Sequence, residues 1–315
     1  MLLICSLAAF RSANAAVSWQ EDFEGDTAAW TVEGTANVWQ IGVSTSGPGS
    51  AHSGSRVAGT ILGGNYPDGV DARLISPEFV VPVGEKPRLR FWSWHSMYAY
   101  NTADYGQLEI RTNGVTWAPL TERMVQNSGA AWTQRIVDLS GYVGQRVQVG
   151  FHFESNLSGV AAGWYVDDLV VETGPLVFNN PEGFESGFGD WSVEGSTWQI
   201  GVPTSGPGSA HSGSRVAGTI LGGDYPDGVD ARLISPEFVV PIGSANPQLS
   251  FWHWFDSYES ADNGRVQIST DGITWTDFTP LFSSEWTKQL FNLTAYAGQT
   301  VRLSFYFRVF WQASG

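Results

Sequence analysis

The stretch RVQVGFHFE at residues 146–154 decides the fold class, because apolar and polar side chains alternate along its whole length. Its valines and phenylalanines fall on one face of an extended chain, and the polar residues fall on the other. Such alternation is typical of a half-buried strand in an antiparallel sheet. The stretch TVRLSFYFR at 300–308 has the same pattern, so the same kind of strand is expected twice.

Two Asx-Gly dipeptides predict hairpin turns at matching places. Asn113-Gly114 lies within QLEIRTNGVTW, and Asp271-Gly272 lies within VQISTDGITW. Both dipeptides suit the positive φ angles of a two-residue type I′ turn. No apolar period near 3.6 residues extends over a helical length, and the chain has 14% aromatic residues and 37 glycines. We therefore predict an all-β protein whose units are antiparallel β-sandwiches or jelly rolls.

A duplication accounts for the repetition of these motifs. Residues 38–84 and 197–243 match at all but four positions, and FWSW at 91–94 answers FWHW at 251–254. The repeating unit is far too long for a solenoid repeat and has the size of an independent domain. The 315 residues therefore predict two tandem copies of one β-sandwich.

The N-terminus has the features of a signal peptide. The apolar run MLLICSLAAF is followed by Ala13-Asn14-Ala15, which fits the small-x-small rule for cleavage. Cys5, the only cysteine, lies in this segment, so the mature fold cannot rest on disulfides. We expect export, with cleavage near Ala15.

The chain is expected to divide into four parts: signal peptide 1–15, first repeat 16–173, linker 174–181 and second repeat 182–315. The two repeats differ at their ends. In the first, Gly163 is followed by WYVDDLVV, whereas the matching Gly315 is the last residue. The second repeat is therefore expected to lack its last strand.

The order of motifs DFE, WQIG, SPEF, LRFWSW, NGVTW, DLSGYVGQRVQVGFHF and GWYVDDLVV resembles the MAM-like jelly-roll domain attached to immune inhibitor A-type secreted bacterial peptidases. The resemblance extends through nearly all of residues 19–173 and again through 182–315. It implies a non-catalytic β-sandwich on an extracellular bacterial protein, often with a structural cation. Peptidases of that type carry their chemistry in a separate zinc domain.

Calcium is the cofactor that the resemblance implies, as a structural ion. Glu24, near the first strand, and Asp168, in the last, would converge on one ion in the first repeat, because these strands can lie side by side. Asp167 and Asp168 are expected on opposite faces of their strand, so only one of them would be a direct ligand. The alternative is that these carboxylates are solvated or make hydrogen bonds in turns.

A second group of oxygen ligands lies in NYPDGVDAR and its copy. The candidates are Asp68 and Asp71 in the first repeat and Asp227 and Asp230 in the second. Carboxylates at such spacing suit calcium, which takes six to eight oxygens. Ordinary turn chemistry of Asp and Gly explains them as well.

Catalytic motifs were sought among the five histidines. No two of them have the HExxH spacing of a zinc peptidase, and G-x-S-x-G is absent. His52 and His211 stand beside Ser53 and Ser212, which raises the possibility of a nucleophile and its base. We favour the alternative, a loop histidine copied by the duplication.

Four tryptophans offer a different kind of site. Trp92 and Trp94, like Trp252 and Trp254, alternate with other large side chains, so both faces of their strand are apolar. An open face could stack on sugar rings, although tryptophans of a disulfide-free sandwich also serve as core.

The sequence therefore predicts a secreted, non-catalytic binding or accessory module, stabilised by calcium, that contacts extracellular protein or glycan. Two alternatives stay open: an ancillary part of a longer secreted metallopeptidase, whose other domains would be its partners, and a carbohydrate-binding module. The net charge of −15 disfavours nucleic acid, because phosphate would be repelled. No transmembrane span is expected.

Overall fold

The computed structural model describes residues 15–98, 103–125, 131–195, 197–242, 246–257 and 263–309. These residues form β-strands and two three-residue 3-10 helices, Ser140–Tyr142 and Thr294–Tyr296, which confirms the all-β prediction. Within these ranges no helix is long and apolar enough to cross a membrane. The predicted signal peptide up to residue 14, including Cys5, lies outside the described residues, as do residues 310–315.

The first repeat is a sandwich of two antiparallel sheets. One sheet has the order β11-β7-β13-β4-β3, with β1 beside β13. The other has the order β10-β8-β12-β5-β2, with β6 beside β12 and β9 beside β8. The strands are β1 (Ala16–Glu21), β2 (Thr31–Gly34), β3 (Gln40–Gly42), β4 (Val57–Gly59), β5 (Asp71–Ile75), β6 (Phe79–Val80), β7 (Arg88–Ser96), β8 (Tyr105–Arg111), β9 (Ala118–Pro119), β10 (Met124–Val125), β11 (Thr133–Asp138), β12 (Arg146–Glu154) and β13 (Gly163–Thr173).

The core lies between these sheets, where the alternation of β12 predicts it. Val147, Val149, Phe151 and Phe153 are all fully buried. Phe151 contacts the opposite sheet through Phe91 of β7 and Trp164 of β13, with ring centroids 5.6 and 5.3 Å apart. Edge-to-face aromatic pairs of this kind add to the stabilisation from apolar burial. The strand pattern therefore identified the inner face correctly.

The predicted two-residue hairpin turns are wrong. β8 ends at Arg111 and β9 begins at Ala118, so a longer loop joins them. Gly114 has a positive φ of 73°, but Asn113 does not, and a type I′ turn needs both. Asn113 instead accepts hydrogen bonds through Oδ1 from the N–H groups of Val115 and Thr116, at 3.0 and 2.9 Å. The side chain closes an Asx turn, and Asp271 does the same in the second repeat.

In the second repeat one sheet is six-stranded and the other is split. The intact sheet has the order β14-β17-β23-β20-β21, with β18 beside β23. The remaining strands form two separate ladders, β15–β16 and β19–β22. The strands are β14 (Ser192–Glu194), β15 (Gln199–Gly201), β16 (Val216–Gly218), β17 (Asp230–Ile234), β18 (Phe238–Val239), β19 (Gln248–Phe255), β20 (Asn263–Ser269), β21 (Thr276–Leu281), β22 (Ser283–Asn292) and β23 (Thr300–Arg308). Among the described residues, no strand lies between β16 and β19, where the first repeat has β13.

The segment expected as a linker contributes to the second repeat's core. Phe178 stacks on Phe238, with ring centroids 4.3 Å apart. In the first repeat Trp19 of β1 stacks in the same way on Phe79, at 5.2 Å, and Phe79 and Phe238 are the phenylalanines of the two SPEF motifs. The second repeat therefore begins before residue 182.

The two repeats are joined by a partly buried ionic network. Arg90 on β7 donates through Nη2 to Glu172 of β13 at 2.8 Å and to Asp190 of the second repeat at 2.6 Å. Arg88, which is 3% exposed, donates to the same Glu172 at 2.8 Å. Beside this network the ring of Trp92 contacts the edge of Phe188 at 5.4 Å. This outer face of β7 is thus covered by the second repeat.

Candidate functional site

The carboxylates predicted as metal ligands are brought to one loop, SAHSGSR at residues 50–56, which we call the anchored loop. Glu24, which follows β1, accepts hydrogen bonds through Oε1 from the N–H groups of Ser55 and Arg56, at 2.7 and 2.6 Å. Its Oε2 accepts from the Ser55 hydroxyl at 3.0 Å. The bonds from Arg56 and Ser55 lower the pKa of Glu24. Glu24 is therefore an ionised anchor for the C-terminal half of the loop.

Asp167 and Asp168 hold the other half of the loop. Asp167 accepts through Oδ2 from the N–H groups of His52 and Ser53, at 2.9 and 3.3 Å. Asp168 accepts through Oδ1 from the Ser53 hydroxyl at 2.7 Å, and its Oδ2 lies 2.6 Å from His52 Nδ1. The expectation that the two carboxylates point to opposite faces is wrong. β13 has a β-bulge between Asp167 and Val170, and Asp168 has a φ of 47°, so both side chains turn towards the loop.

The pKa values of the two neighbouring carboxyl groups are shifted in opposite directions. Burial, and then the adjacent charge of Asp168, raise the pKa of Asp167 to about 6. Burial also acts to raise the pKa of Asp168, but hydrogen bonds from His52 and Ser53 outweigh burial and lower it. Asp168 therefore carries the negative charge, and Asp167 is the group whose ionisation the fold opposes.

The weaker candidates are not brought together. Asp68 accepts from the N–H of Gly159 at 3.2 Å, whereas Asp71 at the start of β5 contacts His152 Nε2 at 3.0 Å. Asp230 in the second repeat lies 3.9 Å from Arg308, and Asp227 is one of the residues that line a groove in that repeat, between β16 and β19. In the part of the chain that the structure describes, no three His, Cys, Asp or Glu side chains form a metal-binding group.

His52 and Ser53 do not form a nucleophile and its base. Both side chains bind the same carboxylate, Asp168, rather than each other. A catalytic relay would run from the hydroxyl to the imidazole and only then to the acid. The arrangement instead ties the loop to β13.

The tryptophans divide into buried and accessible rings. Trp94 is buried and contacts Tyr165 of β13 at 5.4 Å. Trp92 stacks on His52 at 3.7 Å, and Trp252 stacks on His211 in the same way at 3.8 Å. Trp252 remains 45% exposed. The accessible aromatic surface is therefore on the second repeat.

Trp254 has a different environment from its counterpart Trp94. Its six-membered ring lies against Gly206, where a Cβ atom would be only 3.0 Å away. At the matching Gly47 the ring in contact is that of Tyr165, from β13. Trp254 thus leans into space that β13 fills in the first repeat.

Sequence reasoning missed the network of Arg88, Arg90, Glu172 and Asp190. The only signal for it was the pair of arginines in RLRFW, whose counterparts in QLSFW are Gln248 and Ser250. Charged residues present in one copy of a duplicated strand and absent from the other could have indicated a contact specific to the first repeat.

A family model described as the Cleaved Adhesin Domain matches residues 4–125 and 187–310, which together make up most of the chain. The chain belongs to the Cleaved Adhesin Domain family. The motifs had suggested a MAM-like domain, a different description, but the coarser expectation of a β-sandwich domain is confirmed. This Cleaved Adhesin Domain protein is thus a binding or accessory module.

A curated relative is Bacillopeptidase F of Bacillus subtilis (strain 168), 34% identical over 171 residues. The match covers 53% of this Cleaved Adhesin Domain chain and 12% of the relative. The chain therefore spans only a small part of that relative's length.

Solved structures with a similar fold include the K1 and K3 cleaved adhesin domains of Lys-gingipain from Porphyromonas gingivalis W83. The K1 domain is 20% identical, covers 50% of this chain and 98% of its own chain, and has a TM-score of 0.37. The K3 domain is 21% identical, covers 50% of this chain and 100% of its own chain, and has a TM-score of 0.38. The CBM22-1-CBM22-2 tandem domain of Paenibacillus barcinonensis Xyn10C covers 96% of this chain and 94% of its own, at 15% identity and a TM-score of 0.33.

Proposed function

We propose that the chain acts outside a bacterial cell as a non-catalytic module that contacts protein or glycan. The observation that carries this proposal is the match of the Cleaved Adhesin Domain model to both repeats. The arrangement of His52, Ser53 and Asp168 supports the lack of catalysis, because the hydroxyl is not directed at the imidazole. The apolar run and the cleavage rule at Ala15 support export.

A role as the accessory part of a longer secreted peptidase is the form of this proposal that the curated relative favours. Bacillopeptidase F is named as a peptidase, and the chain corresponds to a small share of it. In that role the module would position the catalytic part against its substrate. The MAM-like resemblance of the motifs supports the same kind of architecture.

Glycan contact is favoured by one specific observation, the exposed Trp252. Its ring is held rigid by stacking on His211, and rigid exposed aromatic rings contribute binding energy at low entropic cost. The deciding experiment is a glycan array and a panel of extracellular matrix proteins probed with the full chain. Binding that is lost in Trp252→Ala but kept in Leu157→Ala, an exposed apolar residue of the first repeat, supports the proposal. Binding that both variants retain would place the contact elsewhere.

We also propose that calcium binds at the anchored loop of the first repeat. The donors there are carboxylate and hydroxyl oxygens, which this hard cation prefers. Asp167 and Asp168 are adjacent and Asp167 is fully buried, so a cation would relieve their repulsion. Calcium would supply that positive charge. Glu24 and Asp168 are the residues that would hold it, with Asp167 beside them.

A further inference from the structure

The split sheet of the second repeat leaves a groove between β16 and β19. The groove has a volume of about 1960 Å³, and its lining includes Trp198, Trp252, Trp254, Phe305 and Phe307. Among the described residues, β16 pairs with β15 alone, and β19 pairs with β22 alone. Within the part of the chain that the structure describes, each strand therefore has one unpaired backbone edge facing the groove, and such edges readily accept a further strand.

The first repeat shows what fills the same place there. β13 lies between β7 and β4 and pairs with both, with Tyr165 opposite Trp94 on β7 and opposite Gly59 on β4. Trp164, Tyr165 and Val166 of this strand have no exposed surface. β13 thus supplies both the central ladder and part of the core.

The acceptor side of the groove has the same sequence in both repeats. β16 consists of Val216, Ala217 and Gly218, and β4 consists of Val57, Ala58 and Gly59. Val57 and Ala58 have no exposed surface, whereas all three residues of β16 are only half-buried. The difference arises because β13 covers β4, while the described residues place nothing equivalent over β16.

The polar groups that bind β13 are also kept. In the first repeat Thr60 accepts from the N–H of Trp164 at 3.1 Å, and His52 and Ser53 bind the Asp167-Asp168 pair. Their counterparts are Thr219, His211 and Ser212. The structure gives none of these three a hydrogen bond to another described residue. His211, Ser212 and Thr219 therefore line the groove with hydrogen-bonding groups that an added strand could use.

We propose that the groove between β16 and β19 is an acceptor site for an extended polypeptide segment of β13 chemistry, in which an aromatic-Val sequence leads into an Asp-Asp pair. Such a segment completes the sheet by strand addition, with backbone bonds to both edges and its carboxylates on His211 and Ser212. A sugar would leave the two rows of N–H and C=O groups unsatisfied, so the observations favour a peptide. At about 3.3 Å per residue, the eight residues of β19 extend over roughly 26 Å, and a segment of about eight residues spans that edge.

Two features bear on how a segment would enter this groove. Gly163 begins β13 with a φ of 93°, and a Cβ atom there would lie 1.9 Å from Thr60 Oγ1. Thr219 keeps this threonine, and the glycine of this repeat that matches Gly163 is Gly315, which lies outside the described residues. Trp254 must move away from Gly206 to admit a ring at the place of Tyr165, so binding is accompanied by a change in tryptophan environment.

The experiment uses the full chain and a synthetic peptide with the sequence of residues 163–173, GWYVDDLVVET. Binding is measured by isothermal titration calorimetry, and hydrogen exchange locates it. We expect saturable 1:1 binding and slower exchange at residues 216–218 and 248–255. A peptide with Asp167→Asn and Asp168→Asn should bind about tenfold more weakly or worse, since charge-assisted hydrogen bonds are lost.

Matched variants of the chain show which of the two repeats binds the peptide. Ser212→Ala should weaken peptide binding, whereas Ser53→Ala, whose site is filled by β13, should leave it unchanged. The proposal is overturned by a lack of saturable binding at millimolar peptide, by equal affinity for a scrambled peptide, or by protection outside the groove. It is also overturned if sedimentation shows a dimer whose groove is already protected without peptide, because a second copy would then be the occupant.

Discussion

The imidazole of His52 and the carboxylate of Asp168 meet at 2.6 Å, between Nδ1 and Oδ2, and so join the anchored loop to β13. In the second repeat His211 keeps the stacking on tryptophan but has no such carboxylate among the described residues. Glu185 still accepts from the N–H groups of Ser214 and Arg215 at 2.9 and 3.0 Å. The same loop sequence is thus held from two sides in one repeat and from one side in the other.

Replacing His52 with alanine should destabilise the chain more than replacing His211. His52→Ala removes both a stacked ring and a hydrogen bond to a charged group, worth roughly 1.5–3 kcal/mol, whereas His211→Ala removes only the stacking. Scanning calorimetry should show a difference of about 2 kcal/mol between the two variants. Equal losses would mean that the bond to Asp168 contributes no net stability.

Calcium should stabilise the first repeat, and this stabilisation should depend on Asp168. At about one hundred times its dissociation constant, calcium would add roughly 2.7 kcal/mol. The measurement is thermal unfolding of the full chain with calcium and with chelator, for Asp168→Asn and for Glu185→Gln. We expect the calcium response to disappear in the first variant and to persist in the second. A response that survives Asp168→Asn would remove the anchored loop as the calcium site.

Much of the fold follows from local pattern. Alternation in β12 and β23 depends only on which face is buried, so Phe151 and Phe307 could be assigned to the core from sequence alone. The duplication then gave the two-repeat organisation without any three-dimensional information.

The site could be predicted only in part, because its geometry depends on distant partners. Period 2 places Asp167 and Asp168 on opposite faces, and the bulge that overrides it is tied to a loop more than 110 residues earlier. The outer face of β7 posed the same difficulty. Whether Trp92 is open to a ligand depends on Phe188 of the second repeat, which no pattern within β7 indicates.

The ionisation of Asp167 should make the stability of the first repeat fall as the pH rises. Its folded-state pKa of about 6 exceeds the ordinary value of 3.8, so the protonated form is favoured by folding. The stabilising contribution is complete below pH 4 and is lost as the pH rises through about 6. A shift of about two pKa units corresponds to roughly 3 kcal/mol.

Comparison with Asp167→Asn isolates this effect. Between pH 4 and 7 the variant should gain up to about 3 kcal/mol relative to the unmodified chain, measured by thermal unfolding at each pH. Burial and then Arg135 lower the pKa of His95 to about 3, so its contribution to stability rises with pH. This contribution is the same in both proteins and cancels from the difference between them. Parallel pH profiles would show that Asp167 does not titrate in this range.

Arg90 should control how firmly the two repeats are held together. Its guanidinium bridges Glu172 at 2.8 Å and Asp190 at 2.6 Å, and it also donates to the carbonyl of Gly189 at 2.6 Å. In Arg90→Ala the pairing of Glu172 with Arg88 remains, whereas Asp190 keeps the hydrogen bond from the N–H of Val177 at 2.7 Å and a contact of 3.9 Å with Arg88. The cost should be about 2 kcal/mol, and it falls on the contact between repeats rather than on either core.

The expected result is a larger radius of gyration in small-angle scattering and faster proteolysis between the repeats. Arg146→Ala is the control, because Arg146 makes an exposed pair with Glu78 at 3.7 Å that should contribute less than about 1 kcal/mol. Each sandwich has its own buried aromatic core, so Arg90→Ala should leave the β-rich circular dichroism spectrum unchanged. If Arg90→Ala scatters like the control, the ionic network does not set the arrangement of the repeats. The packing of Trp92 on Phe188 would then suffice to hold them, together with the hydrogen bonds that Gln134 donates to the carbonyls of Gly189 and Trp191.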